Sequence, residues 1–417
     1  MKNFLKILLG LIPLIIGSAS YAQNAATARV VTLEEIIFSI DQNPALLAYD
    51  DKIKSYGAYS KSARSWEAPQ VSGGFWMTPY NMKENPNMGM LMIGAQQMIP
   101  NPGKQRAEEN FMYGMSSVDA AMKSFEKQDL VEQAKKVYYE WLIVKKKQKV
   151  LKESEDLIQL MIKSSEIGYT YNQNLLNRIY KAKSELFNLQ NMEIVNENDI
   201  KQKNIVLNTI MSISKDMTYD IDTNYTVANY DLMSVDTITL QQNRSDIKNI
   251  DESIKLYTLK RTVELSKKKP DFGVQYAHMN GLGMMPNQFT LMGMVTIPIV
   301  PWATRGYKAN MEGIKYETQA LNRRKEAIIN NALGNLRKIK TEISNKKRQL
   351  LMYEKNIIPA LEKNFSASLV SFEHMKEDMF MTIDAWVALK MAKLEYLDIL
   401  GDLLKMQAEY ERQIEKQ

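Results

Sequence analysis

Pro270-Asp271-Phe272-Gly273-Val274-Gln275-Tyr276 leads through a loop rich in Gly, Met, Pro and Asn to Phe289-Thr290-Leu291-Met292-Gly293-Met294-Val295-Thr296-Ile297-Pro298. Two alternating runs around a turn signal read as a β-hairpin. Arg305-Gly306-Tyr307-Lys308-Ala309 then opens a long helical pattern. The same plan occurs about 200 residues earlier, which marks one supersecondary unit used twice. There Pro69-Gln70-Val71-Ser72-Gly73-Gly74-Phe75-Trp76 runs through a Pro/Asn loop to residues 88–100. Gly103-Lys104-Gln105-Arg106-Ala107 opens the next helical pattern.

Outward from the two hairpins the chain is mostly long helix. Thr32-Leu33-Glu34-Glu35 is a capped helix start. Asn43-Pro44 separates this helix from a second one over residues 45–66. From Lys104 the pattern is helical for about 60 residues, a rod of roughly 90 Å. In it Phe111, Met115, Val118, Met122 and Phe125 step by 4, 3, 4, 3 as in a coiled-coil seam. A turn signal over residues 168–174 precedes a return helix over 175–212, and a polar, aperiodic connector over 216–236 follows. The second half has a helix over 237–267, the second hairpin, and a long helix from near Thr304. Its seam is Ile329, Ala332, Leu336, Ile339 and Ile343, and Pro359 should kink or interrupt the helix. A turn at residues 373–378 leads to a last helix with Leu394, Leu397, Leu404 and Ala408 on one seam and Gly401 in the missing position.

The expected organisation is a signal peptide, 1–22, and two repeats. The first, 23–236, holds helices, a β-hairpin at about 69–99, a helical hairpin at about 104–212 and the connector. The second, 237–417, holds a helix, a β-hairpin at about 270–298 and a helical hairpin at about 304–416. Lys2 and Lys6, the apolar segment 8–16 and Ser20-Tyr21-Ala22 are the three parts of a secretory signal. No later run of eighteen apolar residues follows.

Composition narrows the chemistry. The 417 residues carry 54 Lys+Arg against 48 Asp+Glu, a net charge of +6 spread along the helices, which does not call for nucleic acid. There is no Cys, so disulfides, thiolate metal sites and an N-terminal lipidated Cys are excluded. The only histidines, His278 and His374, are far apart, and no phosphate loop or nucleophile elbow occurs. An enzyme is not expected, and no cofactor is implied.

Four strands with one apolar face cannot stand open in a membrane, because the edge N–H and C=O groups would be unsatisfied. Bacterial barrels have eight or more strands, so several chains would have to share one barrel. Phe289, Leu291, Val295 and Ile297, with Gly293, form one face of the second hairpin; Thr290, Met292, Met294 and Thr296 form the other. In the first hairpin Leu91, Ile93 and Ala95 oppose Met88, Met90, Met92, Gly94 and Gln96. The first set of each is expected to face lipid and the second the lumen.

At these residues the chain resembles the TolC-like outer membrane efflux family. The likeness rests on Leu33-Glu34-Glu35 with Asn43-Pro44, on Pro69-Gln70-Val71, and on the junction Pro102-Gly103-Lys104-Gln105-Arg106-Ala107 echoed by Arg305-Gly306-Tyr307-Lys308-Ala309. Residues 169–186 and Glu395-Tyr396-Leu397 add to it. The resemblance covers essentially the whole mature chain. It implies a mainly α fold with a small β part, in which long helical hairpins form a periplasmic tunnel. Four strands per chain would close a 12-stranded barrel in a homotrimer, set in the outer membrane of a Gram-negative bacterium. The implied partners are outer membrane lipid, a periplasmic adaptor and an inner-membrane pump of the proton-driven resistance-nodulation-division type. Gly168, Tyr169, Asn172 and Leu175 of the first tip, with His374, Lys376 and Asp384 of the second, are the candidate adaptor contacts. Many relatives have Gly where Asn172 stands, and an Asp common in the first tip is Arg178 here.

Methionine is the compositional exception, at 27 residues. Thioethers are soft ligands suited to Cu(I) or Ag(I), and Met also fills irregular packing gaps. Alternation puts Met88, Met90, Met92, Met292 and Met294 on the lumen side, as candidate transient metal contacts. The family includes copper–silver and cobalt–zinc–cadmium branches, which gives a lean toward heavy-metal efflux; drug or protein-secretion ducts are the alternatives. A periplasmic coiled-coil rod is the structural rival. Lys267-Lys268-Lys269 is either a solvated charge run or a contact for anionic head groups at the barrel rim. Trp66, Trp76, Tyr80, Tyr276 and Trp302 flank the strands as girdle candidates.

Overall fold

The computed structural model describes residues 29–81, 88–170, 176–230, 236–374 and 379–415. The expected signal segment lies outside them. β1 (Val30–Val31) precedes α1 (Leu33–Ser39), where Thr32 Oγ1 accepts from the Glu35 N–H at 3.3 Å. A 3-10 turn (Ile40–Gln42) leads to α2 (Pro44–Ser62). Asn43 caps α2 by accepting from the Ala45 N–H at 2.9 Å, and Pro44 takes the first helical position, where its missing N–H costs nothing. The other end of the Asn43 amide donates to the Ile210 carbonyl at 2.8 Å and ties α2 to the end of α4.

β2 (Gln70–Trp76) and β3 (Met90–Ile99) form the first hairpin. α3 (Pro102–Thr170) has 69 residues, roughly 100 Å of helix. α4 (Leu176–Ile210) returns along it. The connector contributes β4 (Asp220–Ile221), which pairs in parallel with β1. The expected single helix over 237–267 is two: α5 (Thr237–Asn243) and α6 (Ser245–Ser266), broken at Arg244, whose backbone is extended. The Arg244 guanidinium bonds the nearby Asp246 at 2.7 Å and, across the fold, the Gln413 carbonyl at 2.9 Å, a tertiary contact that no local pattern reveals. β5 (Asp271–Gly281) and β6 (Gln288–Thr296) make the second hairpin, and α7 (Pro301–Met352) follows. Pro359 does interrupt the helical rod. A π-helical turn (Tyr353–Ile357) sits just before it and α8 (Ile358–Glu373) continues beyond, as expected where a ring blocks a carbonyl four residues back. α9 (Met379–Ile414) closes the chain.

One sheet holds both hairpins, in the antiparallel order β2-β3-β5-β6. Its central pairing, β3 with β5, runs from Met90↔Gly281 to Ile99↔Phe272. All strand ends that meet helices therefore lie at one end of the sheet, and both hairpin loops lie at the other. Two cores hold the helices together. The larger joins Tyr138, Trp141 and Leu142 of α3 to Leu336, Ile339 and Ile343 of α7 and to Leu400, Leu403 and Leu404 of α9. The other lies toward the hairpin tips, around Ile158, Leu189, Ile383 and Trp386.

The second seam reads as expected: Ile329, Ala332, Leu336, Ile339 and Ile343 are all buried. So are Leu394, Leu397, Leu404 and Ala408, with Gly401 against Ile143. The first seam differs. Phe111, Met115, Val118, Met122 and Phe125 are only half-buried, because this part of α3 packs against α2 and α6 and shares its apolar surface between them. The helix also runs through Gly168 to Thr170 instead of turning there. A single Gly costs about 1 kcal/mol in a helix, too little to end one of this length.

Candidate functional site

The sheet sorts side chains by alternation. On one face lie Val71 and Phe75, Leu91 and Ile93, Phe272, Val274 and Tyr276, and Phe289, Leu291 and Val295, all exposed. The register makes them one surface: Phe75↔Leu91, Ala95↔Tyr276, Tyr276↔Leu291 and Phe272↔Val295 are direct neighbours. Phe289 is 70 % exposed and Leu291 66 %, values that water alone does not favour for such a contiguous band. Gly293 sits in this face with open space beside it, and Ile297 extends it beyond the end of β6.

The opposite face carries Ser72, Gln96, Gln275, Thr290 and Thr296 together with methionines. Met90 and Met92 lie on it, and so do Met292 and Met294, through Gly94↔Ala277↔Thr290 and Gln96↔Gln275↔Met292. Met88 does not belong to that set. It precedes β3, is exposed, and is followed by Gly89 at φ 117°, so strand alternation does not place it. Three methionines that the sequence reading left aside join the face or its rim. Met279 pairs with Met92, and Met90, Ala277 and Met279 are buried together against Met92 and Met285. Met98 and Met294 close over Gly273, where a Cβ would lie 2.8 Å from the Met98 sulfur and 3.1 Å from the Met294 methyl. The signal for Met98 was present in its parity with Met90 and Met92; for Met279 and Met285 only the β3–β5 pairing supplies it.

The aromatic candidates divide. Trp66 and Trp302 are exposed at the helix end of the sheet, and Tyr80 is exposed past the other end. Trp76 pairs with Met90 and so belongs to the methionine face, not the apolar one. Tyr276 sits mid-strand in the apolar face, 6.3 Å from the Phe289 ring, and is no girdle residue.

At the helical tips, Gly168 and Tyr169 lie in the last turn of α3. Asn172, Leu175 and Lys376 lie outside the described residues. His374 is exposed at the end of α8. Asp384 of α9 holds Lys181 of α4 at 2.6 Å, and Lys181 also lies 5.1 Å from the centre of the Phe380 ring. This bond ties the first helical hairpin to the second near their tips. One turn and a half further along α9, the Lys390 side chain is 4 % exposed, with its ammonium 4.5 Å over the Trp386 ring and 3.8 Å from Glu185 of α4. Burial pushes its ammonium below the usual lysine range, and the Glu185 carboxylate opposes that shift.

Among the described residues no three His, Cys, Asp or Glu side chains converge on a possible metal position, and no helix is long and apolar enough to cross a membrane. No protein-family profile and no curated protein matches the chain. Solved structures do. The Vibrio cholerae outer membrane protein VceC superposes with a TM-score of 0.71 over 92 % of this chain and 96 % of that one, at 12 % identity. The Campylobacter jejuni CmeC outer membrane channel gives 0.71 over 99 % and 94 %, at 11 % identity. The open Neisseria gonorrhoeae MtrE outer membrane channel gives 0.70 over 92 % and 88 %, at 12 % identity. At such identities the likeness establishes a shared fold: long helical hairpins with a small sheet.

Proposed function

We propose that this chain is the outer membrane exit duct of a tripartite efflux system. Three copies, each giving the four strands β2-β3-β5-β6, would close a 12-stranded barrel. The observation that carries this reading is the sheet itself. It is pleated with one exposed, mostly apolar face, in which His278 lies between Ile93 and Phe289, and one Gln/Thr/Met face; among the described residues its outer strands β2 and β6 each pair on one side only. Lipid would cover the first face, water the second, and neighbouring copies the two edges. The helical hairpins would extend into the periplasm. Their tips, with Gly168, Tyr169, His374 and Asp384, would meet an adaptor that links the duct to an inner-membrane pump. Conduction would be passive, with no chemistry at the chain. The fold shared with the outer membrane channels VceC, CmeC and MtrE supports the assignment.

The test is extraction and conductance. The mature protein should fractionate with the outer membrane, require detergent, sediment as a trimer and open steps of conductance in planar bilayers. A protein that stays soluble and monomeric without detergent would be a periplasmic rod instead.

The methionine face favours heavy-metal cargo within that reading, with a lean to Cu(I) and Ag(I), because thioethers suit soft ions. Met92, Met292 and Met294 would make transient contacts with the ion as it leaves; Met90, expected to do the same, is 2 % exposed beneath Met92 and Met285 and is closed off from it. A deletion strain is then expected to be sensitive to copper and silver, and wild-type protein should restore tolerance. Sensitivity to organic toxicants alone would make the methionines packing and leave the duct reading in place.

A further inference from the structure

At the helix end of the sheet, the turn between α6 and β5 meets the start of α7. Lys268, Lys269, Arg305 and Lys308 line one open cleft there, with Ile299 and Tyr307. All four cations are exposed, and among the described residues none has a carboxylate within ion-pair distance. Lys267, their neighbour, is different: it is held by Glu264 at 2.7 Å.

The equivalent junction of the first hairpin provides an internal control. There Lys104 is bound to Asp271 at 2.5 Å, and Asn101 caps α3 by accepting from the Gly103 N–H at 2.9 Å. At the second junction Val300 offers no side-chain cap; neither α3 nor α7 has an acidic residue in its first turn. Four like charges in one cleft repel one another. The cluster thus lacks a counter-ion of the kind that Asp271, the first residue of β5, gives Lys104.

The surroundings specify the anion. Ile297 and Ile299, 54 % and 74 % exposed, follow the apolar face of β6, and Ile299 lines the cleft itself. A ligand filling both parts has acyl chains along that face and a phosphate at the cations. We propose that this cleft binds the head group of an anionic phospholipid and fixes the depth of the sheet in the bilayer. The proposal rests on the outer membrane reading above. Juxtamembrane Lys and Arg gain affinity for anionic lipid in this way.

Bromine-bearing lipid chains quench nearby tryptophan, and the exposed Trp302 follows Pro301, which lines the cleft. The full-length protein is reconstituted into vesicles of phosphatidylcholine with increasing brominated phosphatidylglycerol, or with brominated phosphatidylcholine as control. The Trp302 contribution is isolated as the difference from Trp302→Phe. Quenching of Trp302 should prefer the glycerol lipid by about tenfold in the mole fraction required, a modest share of what four cations allow. K268Q/K269Q/R305Q/K308Q should bring that preference close to one, whereas Lys201→Gln on α4 should leave it unchanged. The double variants K268Q/K269Q and R305Q/K308Q should each lose part of it, and they decide the matter if the quadruple variant does not assemble. Equal quenching by both lipids, or a preference that survives the substitutions, overturns the site while the membrane reading stands. A protein that does not float with vesicles at all overturns both.

Discussion

Two single positions in α9 show how close the helices come. Gly401 faces α3, and a Cβ there would lie 2.9 Å from Cγ1 of Ile143. Helix propensity alone would favour Ala by about 1 kcal/mol. The absent side chain is what lets α9 lie against α3 at the larger core. Gly401→Leu is expected to destabilise by about 1–3 kcal/mol through overpacking, read as a lower denaturation midpoint in detergent; an unchanged midpoint would mean Ile143 has room to turn away. Lys390 poses the opposite problem, a charge where an apolar group would fit. Its folded proton affinity is lowered, so the unfolded chain binds the proton more tightly. The ammonium therefore costs stability at neutral pH, and the cost fades as pH rises from the lowered folded value toward the ordinary lysine value. Lys390→Met keeps the stem over Trp386 and removes the charge. It should leave the melting temperature unchanged or raise it. A loss above about 1 kcal/mol would show the Glu185 pairing to be net stabilising.

Elements were legible where one face of one segment decides the matter. The alternation of β3 and β6 gave the apolar and methionine faces, and the 3–4 spacing of α7 named five residues that are all buried. Legibility failed where a neighbour intervenes. The early part of α3 divides its apolar surface between α2 and α6, so its seam is half-buried. Arg244 breaks the helix ahead of α6 because Gln413, far away in sequence, holds its guanidinium. β1 and β4, two residues each, have too little sequence to carry a pattern and exist through pairing with each other. The two helical hairpins meet near their tips around Trp386, which is 1 % exposed. Trp386→Ala should cost about 3–5 kcal/mol by opening a cavity there. Hydrogen exchange should show loosening of α4 and α9 near the tips with the strands unaffected; loosening of the sheet would mean the two regions fold as one unit.

Across the whole molecule, the larger core carries a belt of buried tyrosines outside the strands. Burial pushes the Tyr138 phenol up to about 12, with the Asp222 carboxylate adding to the shift. Burial also raises Tyr219 and Tyr230, and a hydrogen bond to Glu411 raises Tyr230 further. Their folded values lie above the unfolded value of 10.0. Their contribution is complete below pH 10 and is lost as pH climbs toward 12 and beyond. Denaturation midpoints at pH 9, about 10.5 and about 11.5 should fall in that order, and Tyr138→Phe should flatten part of the decline. A midpoint that does not move across this range would mean the phenols reach water before the core opens.

Sequence by itself determined the long helices and the four hairpin strands, which strand face is apolar, and that one hairpin-to-helix plan is used twice. Those properties rest on local periodicity and on signals such as the Thr32 cap and the Asn43-Pro44 break, which the chain carries in one dimension. Only the tertiary structure decided that β3 pairs with β5, and so that the two hairpins form one sheet. The same holds for Met98 and Met294 closing over Gly273, for Lys181 meeting Asp384, and for the cations gathering beside Ile299 and Tyr307. Each of these joins residues from separate elements. Which partners meet is set by burying the apolar faces of all the elements together, a choice that no single stretch of the chain contains.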